Sequence, residues 1–213
     1  MPTVCDKMPE EYISEVLSFY YTEHWWEFDE PSRIARLTSV KSKLKVWRES
    51  SKALKAEAYG SLRGDSDLIF WLMCKDPKEL LEAKLMLEES LSGLAHFSQG
   101  LLSVYSEAAK KRQQGGDYFV AYPMSKTPDW YLLDKEESKR IVADHVSMAI
   151  NSRHNNGIIS YTTKSFGIAD HEFVVIYEMP SLYEWVKVTE ELRSATARKW
   201  ITRETPILTG IRI

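Results

Sequence analysis

The sequence predicts an α+β fold of two tandem ferredoxin-like repeats, residues 1–113 and 114–213, with antiparallel sheets packed together and helices outside. Both halves show the same order of signals: strand, helix, strand, strand, helix. Three pairs of matching positions lie about 105 residues apart, namely Asp65 and Asp170, Pro77 and Pro180, and Arg33 and Arg140. Sheets of this kind can close into a barrel, which would remove exposed strand edges.

Two strands are predicted in the second half, over residues 158–163 and 172–177. Both segments are rich in the β-branched and aromatic residues that favour strands. Gly167 and the polar residues after it favour a turn between them. These two strands and their turn would form the centre of the second repeat.

Three helix starts carry capping signals. Asp134 with Glu137 predicts a helix that runs to about residue 152. Ser181 with Glu184 forms a capping box directly after Pro180. In the first half, an aspartate before a proline at the first helical position predicts the matching helix from Asp76-Pro77.

The region after Pro77 predicts residues 78–93 and 97–112 as one long helix or a kinked pair, with Gly93 as the weak point. Residues 1–9 are expected to form a loose leader. Residues 110–117 are charged, contain glycine and have almost no apolar residues, so we expect a linker between the halves.

Composition narrows the class of protein. The chain has 213 residues, 44% hydrophobic and 28% charged, which is ordinary for a soluble globular protein. A net charge of −3 argues against bulk electrostatic capture of nucleic acid. The two cysteines, Cys5 and Cys74, cannot form a disulfide framework, and Cys74 lies in an apolar run that predicts a buried thiol. With no signal peptide and no membrane-spanning stretch, we expect a cytoplasmic protein.

Searches for common catalytic motifs are negative. The glycines form no phosphate-binding loop, and neither a His-Glu-x-x-His helix nor a Gly-x-Ser-x-Gly elbow is present. Four histidines, His24, His96, His154 and His171, have no metal-ligand spacing. The aromatic content is high, with 7 Trp, 11 Tyr and 7 Phe, which suits either an ordinary core or a site for a flat apolar ligand.

His145 is the most informative histidine. On the helix predicted from Asp134 it shares an apolar face with Ile141 and Met148, with Val146 beside it. Two interpretations are open at this point. The imidazole is either a core histidine bonded to a carbonyl or the axial ligand of a heme iron, which also requires apolar surroundings.

Tyr122 and Lys126 form a second candidate pair. The segment 118–126 begins as a strand and ends as a loop, so the phenol and the ammonium can lie near one another at the strand exit. Such a pair would suit the carboxylates of an anionic ligand. The alternative is an ordinary strand end with a solvated lysine.

An ordered set of motifs resembles the chlorite dismutase-like superfamily, and most closely its coproheme decarboxylase branch. The motifs run in the same order as in the family, and they are Leu62–Trp71, Tyr122–Lys126, Trp130–Leu133, Asp144-His145, Thr162–Val175, Glu191–Arg193 and Thr205–Gly210.

The resemblance implies a chlorite dismutase-like dimeric α+β barrel within each chain and a homo-oligomer, most often a pentamer. It places an iron porphyrin, coproheme or heme b, in the C-terminal half with His145 as the iron ligand. Tyr122 would be the tyrosine that forms a radical and attacks a propionate, Lys126 would steer that propionate, and Met124 would form part of the porphyrin wall. Hydrogen peroxide would be the oxidant.

Several positions depart from the family pattern. Ser160 stands where chlorite dismutases carry an arginine and decarboxylases a glutamine, which argues against chlorite decomposition. The arginine expected to grip a propionate falls at Ile150, although Arg153 is close. The carboxylate often found behind the iron-binding histidine falls near Ala195 or Thr196, neither of which can serve.

The sequence therefore predicts an oxidoreductase that decarboxylates coproheme propionates with hydrogen peroxide to give heme b. Two alternatives stay open: a non-catalytic heme carrier or sensor, and an oligomeric structural relative that binds no porphyrin.

Overall fold

The computed structural model describes residues 10–106 and 115–213. The strands are β1 Glu11–Tyr21, β2 Lys55–Ser61, β3 Leu68–Cys74, β4 Ala95–Ser106, β5 Tyr118–Lys126, β6 Ile159–Lys164, β7 Phe173–Met179, β8 Ile201–Arg203 and β9 Leu208–Arg212. The helices are α1 Glu23–Trp26, α2 Glu30–Ser51, α3 Pro77–Ser90, α4 Pro128–Leu132, α5 Lys135–Asn151 and α6 Leu182–Glu191, and two short 3-10 turns follow α6 at Leu192–Ser194 and Thr196–Trp200.

Eight of these strands close into a barrel. The hydrogen-bonded order is β7-β6-β4-β1-β3-β2-β9-β5, and β5 pairs again with β7 to complete the ring. Strands β4-β1-β3-β2 form one ferredoxin-like sheet, and β9-β5-β7-β6 form the second in the same internal order. The two sheets join at β2 with β9 and at β4 with β6, so the predicted fold of two ferredoxin-like repeats in one barrel is confirmed.

The predicted helix over 97–112 is wrong where the structure describes it, because β4 occupies Ala95–Ser106. Burial alternates along this strand, with Leu101, Ser103 and Tyr105 buried and the residues between them more exposed. That period of two belongs to a strand whose one face lines the barrel. The preceding helix α3 ends at Ser90, short of Gly93.

The segment 118–126 is strand β5 throughout and does not end as a loop, so that prediction is wrong at its C-terminal end. The predictions for the following strands and helix starts are confirmed. The strands predicted at 158–163 and 172–177 are β6 and β7. Asp134, Ser181 and Asp76 each accept a hydrogen bond from a backbone N–H in the first turn of the helix that follows. Cys74 is buried. The predicted leader at 1–9, the boundary at 113/114 and most of the linker at 110–117 lie outside the described residues.

Apolar packing differs between the two faces of the barrel wall. One buried cluster fills the interior, with Tyr59, Trp71, Phe119, Tyr161 and Ile176 among its members. A second cluster lies outside the first sheet, where side chains of α2 and α3 pack onto β1 and β3. Over the second sheet, α5 and α6 leave an open cavity in the position that the outer cluster occupies over the first sheet. Within the described ranges, none of the helices is long and apolar enough to span a bilayer.

Candidate functional site

Strand alternation places the site residues on the outer face of the second sheet. On β5, Phe119 and Ala121 face the barrel interior, while Tyr122, Met124 and Lys126 belong to the opposite face. The same alternation on β6 and β7 sends Tyr161 and Ile176 inward. Their neighbours in the other phase line the cavity, namely Ser160, Thr162, Val175 and Tyr177.

The cavity between this face and the two helices has two connected lobes. The tyrosine lobe, about 410 Å³, contains Tyr122, Met124, Lys126, Trp130 and Phe173 in its wall. The serine lobe, about 570 Å³, is lined by Ser160, Tyr105, Asn155, Ile158 and Ile159, among others. Six residues line both lobes, namely His145, Val146, Thr162, Tyr177, Trp185 and Leu192. Each lobe falls in the size range of small-molecule sites, and the wall is mostly apolar.

His145 lies on α5 at the junction of the lobes. The apolar face predicted for this helix is divided: Ile141 is buried, whereas Val142 and Val146 line the cavity and stay accessible. The Nδ1 atom of His145 is buried and makes no hydrogen bond within the described part of the chain. Burial, followed by the positive charges of Arg198 and Lys126, lowers the pKa of the imidazole, against the opposing effect of Glu204. The neutral imidazole is therefore favoured, and this is the form that binds metal.

A charged cluster forms the wall beside His145 and Tyr122. The guanidinium of Arg198 donates to both carboxylate oxygens of Glu204, with Nη2 2.8 Å from Oε2. Arg193 donates a longer bond of 3.4 Å to the same Oε2. Burial alone would raise the pKa of Glu204, but the two arginines lower it overall. Two cations and one anion leave this part of the wall with a net positive charge.

Tyr122 and Tyr177 place two phenols side by side in this wall. Their ring centroids are 6.2 Å apart, and the ring planes differ by 28°. Burial raises the pKa of the Tyr122 hydroxyl, while hydrogen bonding to Tyr177 acts in the opposite direction. Burial also raises the pKa of Tyr177 well above its ordinary value. Both phenols therefore keep their protons at neutral pH.

The Lys126 side chain turns into the tyrosine lobe. Its ammonium lies 3.1 Å from the ring centroid of Trp130, an arrangement that favours the cation through the ring quadrupole. Burial nevertheless lowers the pKa of Lys126 to about 8, with Glu172 acting against the shift. The Glu172 carboxylate instead accepts from the backbone N–H of Lys126 and from the Tyr131 hydroxyl. At pH 7 the lysine is mostly charged and is available to an anionic ligand.

The structure brings most of the predicted site residues together. Tyr122, Met124, Lys126 and His145 share the tyrosine lobe, and Ser160 lies in the adjoining serine lobe. Arg153 is elsewhere: its side chain is exposed and its Nε donates to His154 Nε2 at 3.0 Å, so it lines neither lobe. His154 in turn bonds Glu184 through Nδ1.

Sequence reasoning missed several cavity residues, chiefly Tyr177, Trp185, Arg198 and Glu204. Tyr177 could have been found, because it lies in the outward phase of a predicted strand. Trp185 lies on α6, Arg198 on the second 3-10 turn and Glu204 directly after β8, and no local pattern reveals how these segments pack against the sheet. No group of three or more His, Cys, Asp or Glu side chains that could hold a metal occurs among the described residues.

Together these residues offer a neutral imidazole, protonated phenols and an ammonium in one apolar cavity. The sequence model of the chlorite dismutase family matches residues 32–213. The chain therefore belongs to the chlorite dismutase family. A coproheme decarboxylase of Mycolicibacterium smegmatis (strain ATCC 700084 / mc(2)155) is 28% identical over 167 residues, which are 71% of this chain and 69% of that protein.

Solved structures agree in fold. A proposed chlorite dismutase, TA0507, superposes with a TM-score of 0.86 at 40% identity, covering 95% of each chain. A double mutant of chlorite dismutase from Candidatus Nitrospira defluvii has a TM-score of 0.81 at 18% identity, covering 97% of this chain and 93% of that one. A heme-binding protein from Thermus thermophilus has a TM-score of 0.79 at 17% identity, covering 96% of this chain and 94% of that one.

Proposed function

We propose that the protein binds an iron porphyrin through His145 and decarboxylates coproheme propionates with hydrogen peroxide to give heme b. One observation carries the proposal: His145, Tyr122 and Lys126 line a single cavity whose walls are largely apolar. The kinship with a coproheme decarboxylase supports the same choice of substrate.

The residues that line the cavity suit an iron porphyrin. A porphyrin face requires apolar and aromatic walls, which the cavity supplies from both the sheet and α6. The lowered pKa of His145 keeps the imidazole neutral, as an iron ligand must be. In the tyrosine lobe, Lys126 and the positively charged wall at Arg198 and Arg193 would bind the porphyrin carboxylates.

The bound porphyrin would supply the redox chemistry with peroxide, which this chain's side chains cannot provide. For each propionate the overall change converts the side chain, one peroxide and one proton into a vinyl group, carbon dioxide and two waters. Lys126 would hold the carboxylate by a charge-assisted hydrogen bond within reach of Tyr122. The Tyr122 phenol, protonated at neutral pH, would give up one electron and one proton and later recover both from the propionate.

The test is a visible-absorption titration with ferric coproheme, followed by stoichiometric hydrogen peroxide and mass analysis of the porphyrin. We expect saturable binding and stepwise loss of two carboxyl groups. Tyr122→Phe should abolish decarboxylation with binding nearly unchanged, whereas Tyr131→Phe, a tyrosine that lines neither lobe, should keep both. His145→Ala should lose binding, and His96→Ala, an exposed histidine on β4, should not. Full activity of Tyr122→Phe would remove this tyrosine from the mechanism.

A second candidate is a non-catalytic heme carrier or sensor. The buried Nδ1 of His145 has no partner among the described residues, so the imidazole would be a softer donor to iron than one paired with a carboxylate. Ser160 also supplies no charge to the serine lobe. Saturable binding without decarboxylation would establish this candidate.

We propose that the protein is cytoplasmic and acts as a homo-oligomer, with a pentamer as the expected assembly. The support is the family relationship. Light scattering coupled to size-exclusion chromatography measures the mass directly, and a monomer of 24.7 kDa would overturn the proposal.

A further inference from the structure

Tyr177 lies next to Tyr122 for a reason of strand register. Tyr122 pairs with Val175 across β5 and β7, and Tyr177 is two residues further along β7 on the same face. Diagonal neighbours of this kind are within reach of aromatic side chains. The two rings are accordingly near-parallel, with centroids 6.2 Å apart.

Trp185 extends this pair into a row of three rings. Its ring centroid is 4.2 Å from that of Tyr177, with the planes inclined by 43°. The row therefore runs from β5 across β7 to α6. Tyr122 lines only the tyrosine lobe, whereas Tyr177 and Trp185 line both lobes. The two added rings thus connect the phenol of the proposed chemistry to the rest of the cavity wall.

We propose that Tyr177 and Trp185 form a relay that carries an oxidising equivalent from Tyr122 along the cavity wall to α6. The relay rests on the proposed function, because hydrogen peroxide acting through the bound porphyrin is the oxidant that removes an electron and a proton from Tyr122. Tyr177 and Trp185 affect the decarboxylation only through Tyr122, from which they receive the oxidising equivalent.

The first transfer is a hydrogen-atom exchange between the phenols. The O–H bond of Tyr177 breaks, the O–H bond of Tyr122 re-forms, and the radical moves to Tyr177. In the second transfer the Trp185 indole gives an electron to the Tyr177 phenoxyl and releases its N–H proton, while the Tyr177 oxygen takes up a proton. The neutral radical then resides on Trp185, and both tyrosines are restored.

The relay gives an unspent oxidising equivalent a path away from the substrate. When a propionate is in range, Tyr122 reacts with it. When none is, the radical leaves the tyrosine lobe through Tyr177 and reaches α6. Without Tyr177 the radical would stay on Tyr122, where it could damage the porphyrin or the cavity wall.

The test uses the full chain loaded with ferric heme b, the proposed product, in which the reacting propionates are gone, mixed with stoichiometric hydrogen peroxide and frozen for electron paramagnetic resonance. Parallel samples carry ring-deuterated tyrosine or ring-deuterated tryptophan, so that narrowing of the spectrum identifies the radical. We expect a tryptophanyl component in the wild type. Tyr177→Phe and Trp185→Phe should each lose that component and keep the tyrosyl signal. Peptide mass analysis should show less oxygen added at Trp185 in Tyr177→Phe than in the wild type.

Matched controls are Tyr183→Phe, an exposed tyrosine two residues before Trp185, and Trp26→Phe, an exposed tryptophan in the first repeat. Both should give the wild-type spectrum. A tryptophanyl component that persists in either folded variant, Tyr177→Phe or Trp185→Phe, would overturn the relay, and so would its absence from the wild type. Because either variant tests the relay, misfolding of one leaves the other decisive. Lack of coproheme binding by the wild type would instead refute the proposed function, and the relay with it.

Discussion

The ammonium of Lys55, on β2, donates to the carboxylate of Glu178, on β7, at 2.5 Å, with both side chains buried. The pair links the first repeat to the second across the barrel. Tyr59 and Arg212 complete the hydrogen bonding of Glu178, at 3.1 and 2.8 Å. A buried charge with several partners of this kind is costly to leave unpaired.

Lys55→Met should therefore destabilise the protein strongly. Removal of one partner of a buried ion pair typically costs about 3–5 kcal/mol. Urea unfolding followed by circular dichroism measures the change. Lys187→Met removes an exposed lysine from a surface pair with Glu190 and should cost under about 1 kcal/mol. Equal effects of the two substitutions would show that the Lys55 pair does not hold the repeats together.

Gly210 is predicted to be essential where β9 meets β2. A Cβ at this position would lie 2.9 Å from the Cβ of Tyr59 and 3.0 Å from the carbonyl oxygen of Gly60. We expect Gly210→Ala to lower the free energy of unfolding by roughly 1–3 kcal/mol, the range for overpacked sites. Gly64→Ala is the control, since nothing lies within 4 Å of its Cβ. A wild-type midpoint for Gly210→Ala would contradict the close packing at this joint.

Removal of His145 should change how the stability of the porphyrin-free protein depends on pH. Burial lowers the pKa of His145 in the folded state, so the unfolded chain takes up the proton first as pH falls below about 6.5. The wild type should lose stability through this range, and His145→Leu should lose less between pH 7 and pH 5. Urea midpoints across this range provide the comparison, with His96→Leu as the exposed-histidine control. Identical slopes for wild type and His145→Leu would show that His145 is not the group responsible.

The affinity for coproheme should depend on the charge of Lys126. Its pKa of about 8 in the ligand-free protein means that the ammonium is lost as pH rises through that value. Bound carboxylates raise this pKa, so binding should weaken as pH increases from 7 to 9. A hydrogen bond to a charged group contributes about 1.5–3 kcal/mol, less at a half-exposed site, so we expect a loss of roughly tenfold.

Lys126→Met should bind coproheme weakly at pH 7, and its affinity should change less with pH. Lys126→Arg should bind well at both pH 7 and pH 9. Lys199→Met, an exposed lysine beyond the cavity wall, should match the wild type. Absorption titrations at each pH give the affinities. A wild-type pH profile in Lys126→Met would assign the titration to another group.

Local signals in the sequence were sufficient for most elements of the fold. The caps at Asp76, Asp134 and Ser181 act within a few residues, so they mark helix starts in any context. In the motif from Tyr122 to Lys126, the common face of Tyr122, Met124 and Lys126 also follows from local geometry, because alternate residues of one strand share a face. Roles for these residues in chemistry remain predictions.

The tertiary structure decided the rest. Strand β4 was mistaken for a helix because its apolar residues satisfy either period, and only pairing with β1 selects the strand. The tertiary structure also decided the place of Arg153, which the family resemblance put near a propionate but which donates to His154. Neighbouring positions along the chain do not specify which way a side chain at a helix end turns.

The sequence alone determined the repeat, which is visible as matching signals about 105 residues apart, and the helix starts, which follow from interactions between residues close in the chain. Closure of the barrel through β2 with β9 and β4 with β6, and the cavity left under α5 and α6, depend on contacts between segments far apart. Tyr122, Tyr177 and Trp185 meet only because three separate elements converge there. Such convergence is a property of the packed chain, in which long-range pairing and the shape of the helix layer decide the arrangement.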